Sequence, residues 1–402
     1  MLRYNLKFAV RNLMGFRQYS IINILGLSVG MTCVILIYLW VQNELSYDRF
    51  HQNADSIYRI VQSQYYTEGE AFNVDVTQLG MAPFVKENIS GVLRSTRYTG
   101  YAPEFLIQYN DKKFIEKVNM VDSSFLNIFS FPLIKGDKNT ALGNPYSIIL
   151  TEETAEKFFG NADPIGKTLK INNQYLFTVT GIISKPPRNS HIAFNMLIPA
   201  TFYKELGQNL DDFGNNFLYT YVQLTDGANI EDVGTKLTSL LCKNDENNKK
   251  QCTRYYLQPL SRIHLYPIWG GGPVKTMKVF SLIALLILLI ACVNFINLST
   301  ALASNRLKEI GIRKANGAKT GQIMLMLSRD FTKWGLISFI IACPIAWFVM
   351  NKWLQNFAYK TNLDWWIFAL AGLIAFVIAL LTICWQSWRA ASRNPVEALR
   401  YE

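Results

Sequence analysis

Histidine is scarce in this chain, three residues in 402, and His51, His191 and His264 stand far apart. No run of His, Cys and acidic residues has metal-ligand spacing, so each histidine reads as a surface or packing residue. The nucleophile-elbow pattern GxSxG and the zincin pattern HExxH are both missing. Acids are plentiful, but no two stand out as a general acid and base. These gaps leave an enzymatic reading without residues, and no catalytic, cofactor-binding or metal-binding side chain is assigned. Charge is sparse too, 17% of residues, and it vanishes from the interiors of four apolar runs.

Those runs cover residues 21–41, 279–302, 331–349 and 365–385. Each approaches the ~20 residues that cross a bilayer core of about 30 Å. A Lys, Arg or Asp at the centre of a span would cost about 2.5–3.5 kcal/mol. Charge-free runs of this length therefore read as membrane spans. The first is longer than a signal-peptide core of roughly 7–15 residues, and Val41-Gln-Asn-Glu44 is a poor cleavage context, so an uncleaved signal-anchor is expected.

The expected order is a membrane protein with four transmembrane helices, at 21–42, 276–302, 331–350 and 365–387. A large outer domain, 43–275, lies between helices 1 and 2. Residues 303–330 form a connection, 351–364 a short outer loop and 388–402 a tail. Residues 1–20 form either an interfacial helix or a plain basic flank.

Charge sets the orientation. Of the net +11, almost nothing belongs to 43–275, where 23 basic residues face 24 acids; elsewhere 17 bases face 5 acids. The positive-inside rule puts both termini and 303–330 in the cytoplasm and the large block outside. The basic balance thus reports topology, and no nucleic-acid partner is needed to explain it.

The outer block mixes helix and strand signals. Thr151 is a good N-cap for a helix over 152–159, with acids in its first turn. Residues 168–181 alternate, placing Leu169, Ile171, Phe177 and Val179 on related faces. A helix is expected over 229–242, and another over 48–57 leading into a strand at 58–64. The sum is an α+β domain, expected in two lobes.

Gly160 to Thr168 ends in Gly-Lys-Thr and invites a phosphate-loop reading, but five residues separate its glycines where the motif has four. The alternation that follows Lys167 also calls for a strand where a phosphate loop opens a helix. Cysteines divide by place. Cys33, Cys292, Cys343 and Cys384 fall in apolar runs, as small fillers. Cys242 and Cys252 flank a polar loop outside, where either a disulfide or two free thiols fits.

Within the spans, Gly26 and Gly30 make a small-xxx-small pair that permits close helix approach. Asn294 and Asn297 share a helical face and should point at other helices, for packing or for a substrate. Beyond the second span, Glu309 and Arg313 form an i,i+4 pair, and Asn316-Gly317 ends the helix. Thr320 is expected to cap a short helix over 321–330. The segment is either a solvated basic loop or a docking elbow.

This segment resembles a known family. Asn294-Phe-Ile-Asn-Leu298, then Arg306-x-x-Glu309-Ile-Gly-Ile-Arg313-Lys314-Ala315 and Gly317-Ala318, resembles the FtsX-like permease signature of MacB-type ABC transporters. Asn23 to Gly30 is similar to the family's first span, and Pro395-Val-Glu-Ala-Leu399 to its C-terminus. Phe50-His-x-Asn-Ala-Asp55-x-Ile-Tyr-Arg59 and Ala162-Asp-Pro-Ile-Gly-Lys167 are similar to its periplasmic core domain.

The resemblance implies a four-span permease of the bacterial inner membrane, with its large domain periplasmic. It implies a separate cytoplasmic ABC ATPase, which binds ATP and Mg, and a second permease copy, identical or similar. A periplasmic adaptor or outer-membrane protein is a further implied partner. Relatives of this kind drive substrates such as peptides, antibiotics or lipoproteins, or act on other envelope proteins. By resemblance, the ATPase would be felt at Arg306, Glu309, Ile310, Gly311, Arg313, Lys314 and Gly317. The rival reading is a membrane-bound extracytoplasmic sensor or regulator that works without transport.

Overall fold

The computed structural model describes residues 17–67, 70–243, 253–304, 312–313 and 316–355, together with Trp366, Leu373 and Val377. The chain divides into two compact units, Glu44–Val274 and the pair of segments 1–43 and 275–402.

The second of these is built from long helices. They are α1 (Arg17–Leu45), α7 (Val274–Ser304) and α8 (Thr320–Gln355). Among the described residues, α1 and α7 each hold a stretch long and apolar enough to cross a membrane, Ser28–Leu45 and Val274–Ala291. Helix α8 carries a shorter apolar stretch, Leu336–Val349, and Pro344 lies inside it. The fourth expected span, 365–387, falls outside the described residues except for Trp366, Leu373 and Val377, which are helical.

One expectation is corrected here. Residues 320–330 do not form a separate short helix before a span at 331–350; α8 runs unbroken for 36 residues from Thr320. Arg329, Asp330 and Lys333 marked a boundary by charge, but from Gln322 to Lys333 there is no glycine or proline to break a helix.

The helices meet through small and polar groups. A Cβ on Gly30 would lie 2.9 Å from the Ala291 Cβ, so glycine is what lets α1 and α7 approach there. Ser28 Oγ donates to the Ser338 carbonyl at 3.2 Å, and Ile35 and Leu39 pack with Ala346. Trp40 meets Phe280 edge-on at 5.4 Å.

The unit Glu44–Val274 is an α+β domain. Its strands are β1 (Ile57–Thr67), β2 (Glu70–Val74), β3 (Thr77–Gln78), β4 (Val92–Tyr98), β5 (Glu104–Tyr109), β6 (Lys112–Lys117) and β7 (Asn119–Val121). They continue with β8 (Leu133–Lys135), β9 (Ser147–Thr151), β10 (Thr168–Ile171), β11 (Tyr175–Ile183), β12 (Met196–Pro199), β13 (Asn216–Leu224) and β14 (Arg254–Pro259). Its helices are α2 (Met81–Asn88), α3 (Phe125–Ile128), α4 (Glu152–Phe159), α5 (Ile230–Lys243) and α6 (Leu260–Ile263).

One hydrogen-bonded path links the sheet in the order β14-β1-β13-β4-β7-β12-β9-β11-β10-β5-β6, so no break in the sheet separates the two expected lobes. The pairs β9–β11 and β7–β12 are parallel. Sequence signals explain the local choices. Thr151 Oγ1 accepts from the Thr154 N–H, capping α4. Leu169, Ile171, Phe177 and Val179 are all buried, and the turn between β10 and β11 is Asn172-Asn173, both at positive φ, as a tight hairpin needs.

Among the described residues, three apolar clusters fill the domain. One packs α4 against the sheet through Phe158, Phe177 and Phe202. A second is aromatic, with Phe125, Phe129, Phe131, Phe194 and Tyr221. The third joins α2 and α5 to β14 through Val85, Leu237 and Leu257.

Candidate functional site: the histidine cluster after helix α1

Between Gly30 and Leu45, α1 contains neither glycine nor proline, and its last turn reaches Glu44 inside the outer domain. The expected helix over 48–57 does not form. Instead the chain turns sharply through residues 46–53 before a short 3-10 turn, Ala54–Ser56, and β1. Tertiary bonds take the place of helical ones. The Asp48 N–H donates to the Asn189 carbonyl at 2.7 Å, and Asn189 Nδ2 donates to the Ser46 carbonyl at 3.2 Å. Asp48 sits at φ 60°, a left-handed conformation that Asp tolerates better than most residues.

All three histidines gather on this turn. His191 Nδ1 lies 2.8 Å from Asp48 Oδ2, while the His191 N–H donates to Asp48 Oδ1 at 3.0 Å. On its other side, His191 Nε2 is 2.8 Å from the Tyr221 hydroxyl. Burial raises the Tyr221 pKa well above its ordinary value, so the hydroxyl beside Nε2 stays protonated. His264 Nε2 is 2.6 Å from Glu44 Oε2, and its ring stacks on Tyr47 with centroids 3.4 Å apart. Burial, with the Glu44 and Asp48 carboxylates adding to it, raises the Tyr47 pKa.

His51 plays a different part. It is 3% exposed, ringed by Phe50, Phe129 and Phe131, and its Nδ1 accepts the Ser130 N–H at 3.0 Å. Burial lowers its pKa from 6.5 to about 4, with His191 acting in the same direction and Asp48 against it. The folded domain therefore holds His51 neutral, while the unfolded chain takes up a proton below pH 6.5. Stability falls as pH drops from 6.5 towards 4, by roughly 3 kcal/mol for this group. His51→Asn keeps an acceptor for Ser130 and cannot titrate. In denaturant melts across that range, its stability is expected to vary less steeply with pH than the wild type's.

The segment leading towards α7 is built otherwise. After α6 and His264, Gly270 and Gly271 both sit at φ 78°, with nothing within 4 Å of where a Cβ would stand. Gly272 does pack, since its Cβ would meet the Leu265 carbonyl oxygen at 2.3 Å.

Other expected site residues fall as follows. Gly30 contacts Ala291, and Gly26 is half-buried on α1. Asn294 and Asn297 lie on α7, their side chains outside the described residues. Arg306, Glu309, Ile310, Gly311 and Lys314 also lie outside them; Arg313 is helical. Gly317 has φ 84°, and the Ala318 N–H donates to the Arg313 carbonyl at 2.9 Å, a Schellman stop. Cys242 is disulfide-bonded, and Cys252 is outside the described residues. The Gly160–Lys167 segment is no phosphate cradle: the Gly166 N–H donates to the Val179 carbonyl, the Lys167 N–H to the Pro164 carbonyl, and β10 follows.

Residues 20–240 match the MacB-like periplasmic core domain, and residues 281–395 match the FtsX-like permease C-terminal domain. The chain belongs to the MacB/FtsX-type permease family. It is 23% identical over 419 residues to the ABC transporter permease YknZ of Bacillus subtilis, covering 99% of each chain. Over 257 residues it is 29% identical to the macrolide export ATP-binding/permease protein MacB of Chlorobium luteolum. That match takes in 62% of this chain but only 36% of the relative. Among solved structures, a permease-protein domain from Porphyromonas gingivalis matches with a TM-score of 0.46 and 26% identity, covering 52% of this chain and 91% of that one. The sequence reading missed this histidine cluster. It treated the histidines as solitary because their partners lie 143 and 220 positions away. The one local hint was Asp48, three residues before His51.

Proposed function

We propose that this chain is the permease subunit of an ABC transporter whose ATPase is a separate polypeptide. The observation that carries the reading is the full-length match to a relative named an ABC transporter permease. A relative named for ATP binding and permease together is matched over only 36% of its length, in keeping with a permease part alone. The ATPase binds ATP and Mg in the cytoplasm, and this chain contributes no catalytic residue. Arg306 to Gly317 receives the ATPase, and a second permease copy completes the pair.

In this reading the chain spans the inner membrane four times, with both termini inside and the α+β domain in the periplasm. Hydrolysis then becomes periplasmic work, the export or extrusion of a peptide, antibiotic or lipoprotein. Asn294 and Asn297 pack α7 against neighbouring helices. The test is the ATPase rate of the purified complex, screened against candidate peptides, antibiotics and periplasmic proteins. A substrate of the proposed class raises the rate; a complex that no such compound stimulates counts against transport.

A further inference from the structure

Resting on the coupling function proposed above, we infer that the stroke enters the outer domain through α1. The latch that delivers it is Glu44–His264 with Asp48–His191, and the Gly270-Gly271 turn towards α7 is the compliant side. An α-helix without glycine or proline between Gly30 and Leu45 is a stiff rod, and a stiff rod moves a domain only if its end is fixed.

The end of α1 is fixed on three sides. Glu44 is held by His264 at 2.6 Å, Asp48 by His191 and Asn189, and His51 by Ser130 at 3.0 Å. These anchors come from three separate stretches of the domain, so the turn cannot swing about any one of them. Asp48 is 1% exposed, and its carboxylate oxygens both face His191. Reorienting the last turn of α1 within the domain therefore breaks buried polar bonds.

The exit towards α7 is anchored as far as Trp269, whose Nε1 donates to Asp75 Oδ1 at 3.1 Å and whose ring meets Phe72 edge-on, and the two residues that follow are free of such contacts. Gly270 and Gly271 adopt a backbone conformation that other residues rarely reach, and neither touches a neighbour within 4 Å of the Cβ position. His264 precedes this turn, so the Glu44–His264 contact ties the base of the α7 connection to the end of α1 before the chain becomes compliant. His264 and His191 are positioning residues in this scheme, acting on the direction of α1 and not on any substrate.

Two insertions and one substitution separate the two paths. The full chain is reconstituted with its ATPase in nanodiscs, with a donor dye on an azidophenylalanine at Tyr101, which is 85% exposed, and acceptor-labelled lipids. The readout is the ATP-dependent change in energy transfer. Inserting Gly-Gly after Leu45, or His264→Ala, is expected to remove at least half of that change while ATP hydrolysis stays within about twofold of wild type. Inserting Gly-Gly after Gly271 is expected to leave it intact.

Protease resistance of the outer domain, unchanged in the His264→Ala chain, separates a lost latch from a lost fold. Equal retention in all three variants, or loss only with the insertion after Gly271, overturns the assignment of the path to α1. A wild-type complex that hydrolyses ATP without any change in transfer, or does not hydrolyse it, overturns the coupling function itself and the latch with it.

Discussion

The double reversal E309R/R313E is expected to cut ATP-driven work by roughly tenfold or more while leaving the chain folded and in the membrane. Both residues lie in the segment proposed to receive the ATPase. Swapping them keeps an opposite-charge pair at i,i+4 spacing, whose orientation in a helix is worth only a few tenths of a kcal/mol. What changes is the face shown to a partner, where each like-charge contact costs several kcal/mol; a loss of about 1.4 kcal/mol already gives tenfold. Substrate-stimulated ATPase in the reconstituted complex is the measurement. Reversing Glu104 and Lys117, which face each other across β5 and β6 in the outer domain, serves as the control and leaves stimulation unchanged. Full stimulation in E309R/R313E would remove the coupling role from this segment.

Arg97→Met is the second large effect, on stability. Arg97 lies on β4, between β13 and β7, with its side chain only 7% exposed. Its Nε and Nη2 donate to both oxygens of Asp122, at 2.5–3.0 Å, and Nη1 donates to the Leu79 carbonyl at 3.2 Å. The Arg97 backbone N–H adds a further bond to Asp122 at 2.7 Å. Removing the guanidinium strands a carboxylate that is itself only 19% exposed, and breaking a buried pair in this way costs about 3–5 kcal/mol. Chemical denaturation of the outer domain, followed by protease resistance of the solubilised chain, reads the loss. Adding Asp122→Asn removes the stranded charge and is expected to recover part of it. A double variant no more stable than Arg97→Met would show that the loss lies elsewhere.

How much of this was legible depends on how local the cause is. Helix α4 was readable to the residue because a Thr cap, two acids in the first turn and Gly160 all lie within ten positions. The strands β10 and β11 were readable from alternation, although the Asn172-Asn173 turn between them was not singled out. The α+β class followed from the mixture of such signals.

The failures are tertiary. Residues 48–57 carry a helical pattern, but bonds from Ser46, Asp48 and His51 to positions 130 and 189–191 hold the chain in a turn. The start of α8 was misplaced because charge marks where a membrane ends, not where a helix does. The histidine cluster stayed invisible for the same reason as the turn, since Glu44 and His264 come together only in the fold. Of the coupling residues, the helix stop at Gly317 is on view, and its logic was already written in Asn316-Gly317.

The account rests most directly on the ATPase being another chain, bound to this one. Purification from native membranes in mild detergent, with every partner identified by mass, tests that claim. It predicts a stoichiometric subunit carrying a phosphate-binding loop and ATP hydrolysis that follows the complex through gel filtration. A chain that purifies without such a subunit, and without hydrolysis, would contradict the account and favour a membrane-bound sensor.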